Sequence, residues 1–263
     1  VNSETAAKLI AINREFYERF GASFSATRRR LQPGVRRILE TLEGGESILD
    51  LGCGNGEFAR ALAKRGHRGP YLGLDFSLSL LRAAESQPEG IAARFMEVDL
   101  MKLSVISGQS SVISGQSSVS SEQSSVISEQ LSVEGGWSLI TAFAVLHHIP
   151  GEELRLDILK TVHKLLAENG RFILSNWQFL NSERLKRRIK PWETAAISGS
   201  EVDAGDYLLD WRSGGDGLRY AHYFTAEELS ALAQRAGFQV VDSFLSDGEG
   251  KRLGLYQIWR RAA

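Results

Sequence analysis

The sequence predicts an α/β fold, a mostly parallel sheet with helices on both faces and an antiparallel strand at its C-terminal end. Three observations predict it. Short apolar runs alternate with amphipathic stretches over residues 47–100 and again over 137–177, the pattern of strands and crossover helices. A glycine-rich turn, "DLGCGNGE", joins the first run to the first helix of that series. The two last apolar runs, 238–245 and 252–260, are joined only by "SDGEGK", and so short a link demands an antiparallel pair. The chain has 263 residues, 43% apolar and 24% charged, which permits a sizeable core and excludes a fully disordered protein.

The first forty residues read as helices with a break near 21–27, and Leu9, Ile12, Phe16 and Phe20 recur at helical spacing. "SILDL" (47–51) is a short buried strand, and "GEFARALAKRG" (56–66) is a helix that ends at Gly66. "PYLGLD" (70–75) is the second strand, Ser77 caps a helix to about Ser86, and "ARFMEVDL" (93–100) is the third strand. Residues 104–133 then form a tandem seven-residue repeat built on "SVISGQS", without Lys, Arg, Pro or an aromatic residue. An odd period puts successive valines of a strand on opposite faces, and Ser and Gly are poor helix residues. The tract is therefore expected to be a solvent-exposed insertion that adds little to the fold.

The alternation resumes with "WSLITAFAV" (137–145) as the fourth strand and "GEELRLDILKTVHKLLAENG" (151–170) as a helix stopped at Asn169-Gly170. "RFILSNW" (171–177) is the fifth strand. Residues 178–222 look irregular, and Thr225 with Glu228 forms a capping box for the helix that ends at Gly237. One domain is expected over 1–263, with a helical N-terminal cap (1–40) and a substrate-facing insertion (178–224).

Net charge is −1, so a nucleic acid or an acidic surface must be met by a local patch. Two such patches exist: Arg28, Arg29, Arg30, Arg36 and Arg37, and Lys186, Arg187, Arg188 and Lys190. The only cysteine, Cys53, excludes an intrachain disulfide and fits a reducing, cytoplasmic compartment. No apolar run approaches the ~20 residues that span a bilayer, and the N-terminal stretch is charged and amphipathic, unlike a signal peptide.

In parallel sheets of this kind the ligand lies outside the carboxyl ends of the strands. Gly52, Gly54 and Gly56 follow the first strand, so the backbone there turns sharply and its N–H groups can approach a ligand. The spacing is G-x-G-x-G. The dinucleotide fingerprint needs a third glycine at position 57, which is Glu57, and with Asp50 beside the loop a pyrophosphate would be repelled while a cation is welcome. Asp75, at the end of the second strand, suits the two hydroxyls of a ribose. Asp99-Leu100, at the end of the third, suits an adenine amino group beside an apolar contact. The set describes a cationic adenosine ligand without phosphates, and S-adenosylmethionine fits that description.

"ILDLGCGNGEF", "YLGLDFS", "MEVDL" and "LITAFAVLHHIP" resemble the successive motifs of class I S-adenosylmethionine-dependent methyltransferases, over about residues 45–177. The resemblance implies a Rossmann-like, seven-stranded, mostly parallel sheet with an antiparallel last strand. It implies that Gly52, Gly54 and Gly56 line the methionine moiety, with Asp75 at the ribose, Asp99 at the adenine, and Phe76 and Leu100 flanking the base. Asp50, Cys53, Asn55 and Ala144 complete the cofactor-binding set. The repeat interrupts the family pattern just after Leu100.

Methyl transfer is an in-line displacement, and orientation is the enzyme's main contribution. The paired His147 and His148, at the end of the fourth strand, are candidates for acid–base work or for positioning; no Cys/His cluster accompanies them, so no metal is expected. Outside the core, "FYERFGASFSATR", "GDYLLDW" and "RYAHYFTAEELSALAQRAGF" resemble the tRNA wobble-uridine carboxymethyl methyltransferases, which form a methyl ester on a carboxymethyl uridine. The pattern departs at Asp210, where that family tends to have Pro. This resemblance implies that Arg28, Asp206, Trp211, Arg219 and His222 line the acceptor site. An arginine would pair with the acceptor carboxylate, Trp211 would stack on the base, and the basic patches would contact tRNA phosphates. The alternatives are a small-molecule O- or N-methyltransferase and a non-catalytic module that binds S-adenosylmethionine as the activator subunit of a partner. Separately, a small activator protein is a candidate partner of this chain. A nicotinamide dehydrogenase is opposed by Glu57.

Overall fold

The computed structural model describes residues 1–26, 30–85, 90–103 and 131–262. In chain order the helices and strands are α1 (Ser3–Ala26), α2 (Pro33–Glu40), β1 (Ile48–Leu51), α3 (Glu57–Lys64), β2 (Tyr71–Asp75), α4 (Leu78–Glu85), β3 (Ala93–Glu97) and β4 (Trp137–Phe143). They continue with α5 (Glu152–Leu165), β5 (Leu166–Trp177), α6 (Glu183–Lys186), β6 (Ile189–Lys190), β7 (Asp206–Trp211), β8 (Gly217–His222), α7 (Ala226–Arg235), β9 (Phe238–Ser246) and β10 (Gly254–Arg261).

Seven strands form one sheet in the order β3-β2-β1-β4-β5-β10-β9. β1, β2, β3, β4 and β5 pair in parallel, and β10 runs antiparallel to both β5 and β9. The expected α/β class and the antiparallel last strand are therefore present. Period-two alternation feeds both faces of the sheet: Ile48, Tyr71, Leu139 and Ile173 pack beneath α2 and α3. Their neighbours Leu49, Leu72, Ile140 and Leu174 join the larger core with α5 and α7. Strand order reverses between β1 and β4, which opens a crevice at their carboxyl ends.

Four local expectations need correction. α1 runs without interruption through Gly21 to Ala26, so the break does not begin at 21. The third strand stops at Glu97, because the Asp99 side chain accepts from Met101 N and caps a 3-10 turn over Leu100–Lys102. α5 ends at Leu165 and not at Gly170, because Leu166 takes an extended conformation (ψ 136°) and pairs with Trp137. The stretch 178–222 is not irregular: it builds a second, antiparallel sheet, β6-β7-β8. Tyr220 of β8 packs with Leu9 of α1, while Ala221 packs with Phe179, Leu185 and Leu209, so the small sheet has two covered faces.

Most of the repeat, residues 104–130, lies outside the described residues. Its C-terminal end is anchored: Leu131 belongs to the main core, and its carbonyl accepts the Trp137 indole N–H at 2.8 Å.

Candidate functional site

A cavity of about 700 Å³ opens at the carboxyl ends of β1, β2, β4 and β5, roofed by α1 and the small sheet. The loop after β1 forms one wall. Gly52 and Gly54 have φ of 67° and 56°, in the left-handed region. A Cβ on Gly52 would lie 2.5 Å from Val145 Cγ2, so packing demands glycine there. A Cβ on Gly54 would meet nothing within 4 Å: this glycine lines the cavity and leaves room for a ligand to reach the backbone. Gly56 (φ 76°) is the N-cap of α3 and does not line the cavity, whereas Cys53 and Asn55 do.

The acids at the strand ends differ in their surroundings. Asp50 is buried and accepts from the Tyr71 and Thr141 hydroxyls, each at 2.6 Å. Burial outweighs those bonds and pushes its carboxyl up to about 6. Asp75 accepts from Gly54 N and Ser77 N, both at 2.9 Å, and burial again raises its pKa against those N–H groups. Asp99 is half-buried and pairs with Arg14 of α1 at 2.9 Å. Phe76 and Leu100 line the cavity beside them, and Tyr17 of α1 meets the Phe76 ring edge-on at 5.7 Å.

Beyond the end of the neighbouring strand β4, Ala144 has φ 59°, an uncommon conformation for a residue with a Cβ. It is held there by its N–H, which donates to Ser175 O at 3.0 Å and to Ser175 Oγ at 3.1 Å. His147 lines the cavity, and its Nδ1 accepts from Trp177 N at 3.4 Å. The His148 ring is fixed by Tyr220 O at 3.1 Å from Nδ1 and the Tyr17 hydroxyl at 3.1 Å from Nε2.

The far wall is aromatic and cationic. Arg219 lies over the Trp177 ring at 4.5 Å and over Phe16 at 5.3 Å. Trp211 meets Phe16 edge-on at 5.4 Å. Arg30, Arg184 and Arg188 also line the cavity. Asp50, Asp75 and Asp99 come from the ends of β1–β3, where Arg14 pairs with Asp99, while Arg184, Arg188 and Arg219 come from α6, the turn after it and the small sheet; Glu57 and Asp247 also line the cavity.

Of the expected acceptor residues, the structure brings Trp211, Arg219 and His147 to the cavity. Arg28 lies outside the described residues. Asp206 and His222 do not line the cavity. They form a buried cluster in which Asp206 accepts from Tyr220 OH and His222 Nδ1, each at 2.7 Å, while His222 Nε2 donates to Glu228 at 2.7 Å. The site also contains residues that sequence reasoning passed over: Asn13, Arg14 and Tyr17 of α1, and Asn176 of β5. Asn13 and Tyr17, four apart, are a polar interruption of an otherwise apolar helix face, which is the one local signal available for them.

The donor set fits an adenosyl ligand with a positive centre: an open backbone at Gly54, a carboxylate at each of two strand ends, and an apolar pair, Phe76 and Leu100. Among the described residues no helix is long and apolar enough to cross a membrane.

Known proteins resemble this chain in sequence and in fold. The sequence model of a family described as a methyltransferase domain matches residues 24–243. A protein of Encephalitozoon cuniculi, ECU09_1500, named as a candidate methyltransferase, is 29% identical over 230 residues, covering 86% of this chain and 87% of that protein. The mouse tRNA (carboxymethyluridine(34)-5-O)-methyltransferase ALKBH8 is 21% identical over 192 residues, covering 73% of this chain and only 23% of that protein. Among solved structures, the 1,6-didemethyltoxoflavin-N1-methyltransferase of Burkholderia thailandensis, bound to its substrate and S-adenosylhomocysteine, superposes with a TM-score of 0.60 at 18% identity, covering all of this chain and 91% of that one.

Proposed function

This chain belongs to the methyltransferase-domain family, and on that footing we propose that it transfers a methyl group from S-adenosylmethionine to the carboxylate of a carboxymethyl group on the wobble uridine of tRNA. The observation that carries the acceptor half of this reading is the placement of Arg219 in the cavity over Trp177 and Phe16, with Trp211 against the same Phe16 ring. The similarity to ALKBH8, which is named for its action on carboxymethyluridine, supports it.

The donor supplies an electrophilic methyl group on a sulfonium centre. Gly54 and its neighbours give that ligand close backbone approach, Asp75 accepts from the ribose hydroxyls, and Asp99 accepts from the adenine amino group. Phe76 and Leu100 hold the base between apolar surfaces. At the other end Arg219, fixed over Trp177, orients an acceptor carboxylate, and Trp211 offers a stacking face for the base. A carboxylate is already ionised at neutral pH, so no strong general base is required. His147 and His148 then position the β4–α5 loop, because their hydrogen bonds run to the Trp177 backbone and to Tyr17 and Tyr220.

Arg30, Arg184 and Arg188 line the cavity, and in this reading they are the groups that contact tRNA phosphates. The test is methylation of tRNA that carries the unesterified carboxymethyl group, read as an alkali-labile mass gain on the wobble nucleoside. Binding of that tRNA should weaken steeply with salt, and neutralising Arg184, Arg187 and Arg188 should make the salt slope shallower by roughly one for each phosphate left without its arginine. Salt-insensitive binding, or methylation confined to small molecules from an extract, would favour the rival reading of a small-molecule methyltransferase, to which a net charge of −1 lends support.

A further inference from the structure

Asn176 is the next-to-last residue of β5, paired in register with Leu255 of β10. It is 1% exposed and lines the cavity between Ser175 and Trp177, which line it as well. Among the described residues of that cavity, it alone has buried side-chain polar atoms without a hydrogen-bond partner: both Nδ2 and Oδ1 are unpaired. Burying an amide unpaired is unfavourable, and native proteins keep such a group where something outside the chain completes it. The β-ladder holds the Asn176 backbone, so the amide is presented from a rigid element and not from a loop. The neighbouring side chains are already engaged. Ser175 Oγ is used on Ala144 N, and His147 Nδ1 on Trp177 N.

We infer that Asn176 is a specificity-determining residue of the acceptor site, where its amide pairs with a planar acceptor group that carries an N–H beside a C=O, as the imide edge of a uracil ring does. Nδ2 donates to the carbonyl and Oδ1 accepts from the ring N–H, giving two parallel bonds. The inference rests on, and deepens, the uridine reading above: Arg219 would hold the carboxylate, Trp211 the ring face and Asn176 the ring edge. A site with a buried amide committed in this way rejects an analogue that lacks the matching N–H, because the amide is then left unpaired again.

The test titrates 5-carboxymethyluridine and its N3-methyl derivative into protein saturated with S-adenosylhomocysteine. The wild type is expected to bind the parent nucleoside at least about tenfold tighter than the N3-methylated one. Asn176→Leu is expected to bind both alike, with unchanged affinity for S-adenosylhomocysteine and no drop in Tm. Asn176→Ala, which removes both amide atoms without adding bulk, serves the same comparison should the leucine variant fail to fold. Equal binding of the two nucleosides by the wild type overturns the inference, as does discrimination that survives in the variants. A lowered Tm of Asn176→Leu with discrimination intact shows a structural amide satisfied by water and also overturns it. The tRNA methylation assay separates this outcome from the reading beneath it. Methylation without nucleoside discrimination sinks Asn176 alone, discrimination without tRNA methylation sinks the tRNA reading alone, and failure of both sinks both.

Discussion

Asp206 Oδ1 lies 2.7 Å from His222 Nδ1, and on the far side of the same ring His222 Nε2 lies 2.7 Å from Glu228. Both ring nitrogens face carboxylates, so both donate, which only the imidazolium can do. The cluster ties β7 and β8 of the small sheet to α7 of the main domain, and Arg155 of α5 completes it 3.7 Å from Asp206. Burial opposes the charge on His222, but the hydrogen bonds to Asp206 and Glu228 outweigh it and raise its pKa. Asp206 is held below its usual range because the bonds from His222 and Tyr220 outweigh its burial.

The sign of the resulting pH dependence is fixed. A histidine whose folded pKa is raised contributes its full stability below about 6.5, the unfolded value, and loses it as pH climbs through the folded value. His222→Gln should therefore lower stability most near pH 6, by about 1–3 kcal/mol, and the gap to wild type should close toward pH 9. Chemical denaturation of the two proteins across that range measures it. A constant gap would mean that His222 is neutral in the folded protein.

Asp50 shows the opposite arrangement. Burial raises its carboxyl from 3.8 to about 6, so the unfolded chain ionises first and stability falls as pH rises from about 4 to 6, then levels off. The shift corresponds to a cost on the order of 3 kcal/mol at pH 7. Asp50→Asn should match the wild type or fall below it at pH 4 and gain on it by up to that amount at pH 7, as read by denaturant midpoints at the two pH values.

The two loop glycines should separate stability from binding. Gly52→Ala places a methyl 2.5 Å from Val145 at a left-handed φ, so it should destabilise by more than the ~1–2 kcal/mol of the backbone conformation alone. Gly54→Ala carries only the conformational cost, because its methyl enters open space. That space belongs to the cavity, so Gly54→Ala should fold yet bind S-adenosylhomocysteine roughly tenfold or more weakly, a loss of about 1.4 kcal/mol or more. Melting curves and calorimetry on the pair check both halves.

What the sequence shows and what it hides divide along physical lines. The β1 loop, Asp75 and Asp99 were legible because each sits in a short local pattern of strand, turn and helix whose periodicity changes at the acid. The order of β10 between β5 and β9 and the pairing of β6, β7 and β8 depend on contacts far apart in sequence, and "EVDAGDYLLDW" carries no local mark of its partner strand. Asn13 reaches Tyr220 N across 207 residues, and Arg14 reaches Asp99 across 85. Neither side chain announces that partner in the helix pattern. Asp206 and His222 were legible as a pair of chemically capable residues, but their burial away from the cavity is a property of the packed sheet and not of the motif. The early end of α5 follows from Leu166 pairing with Trp137, a tertiary override of a helix-favouring stretch.

Direct calorimetric titration decides whether this cavity holds a cationic, phosphate-free adenosyl ligand. S-adenosylmethionine and S-adenosylhomocysteine should each bind one per chain, with affinity in the ~1 μM–1 mM range usual for enzyme substrates, and Asp75→Ala should abolish the heat. Absence of heat with either compound, alongside tight binding of a nicotinamide dinucleotide, would contradict it.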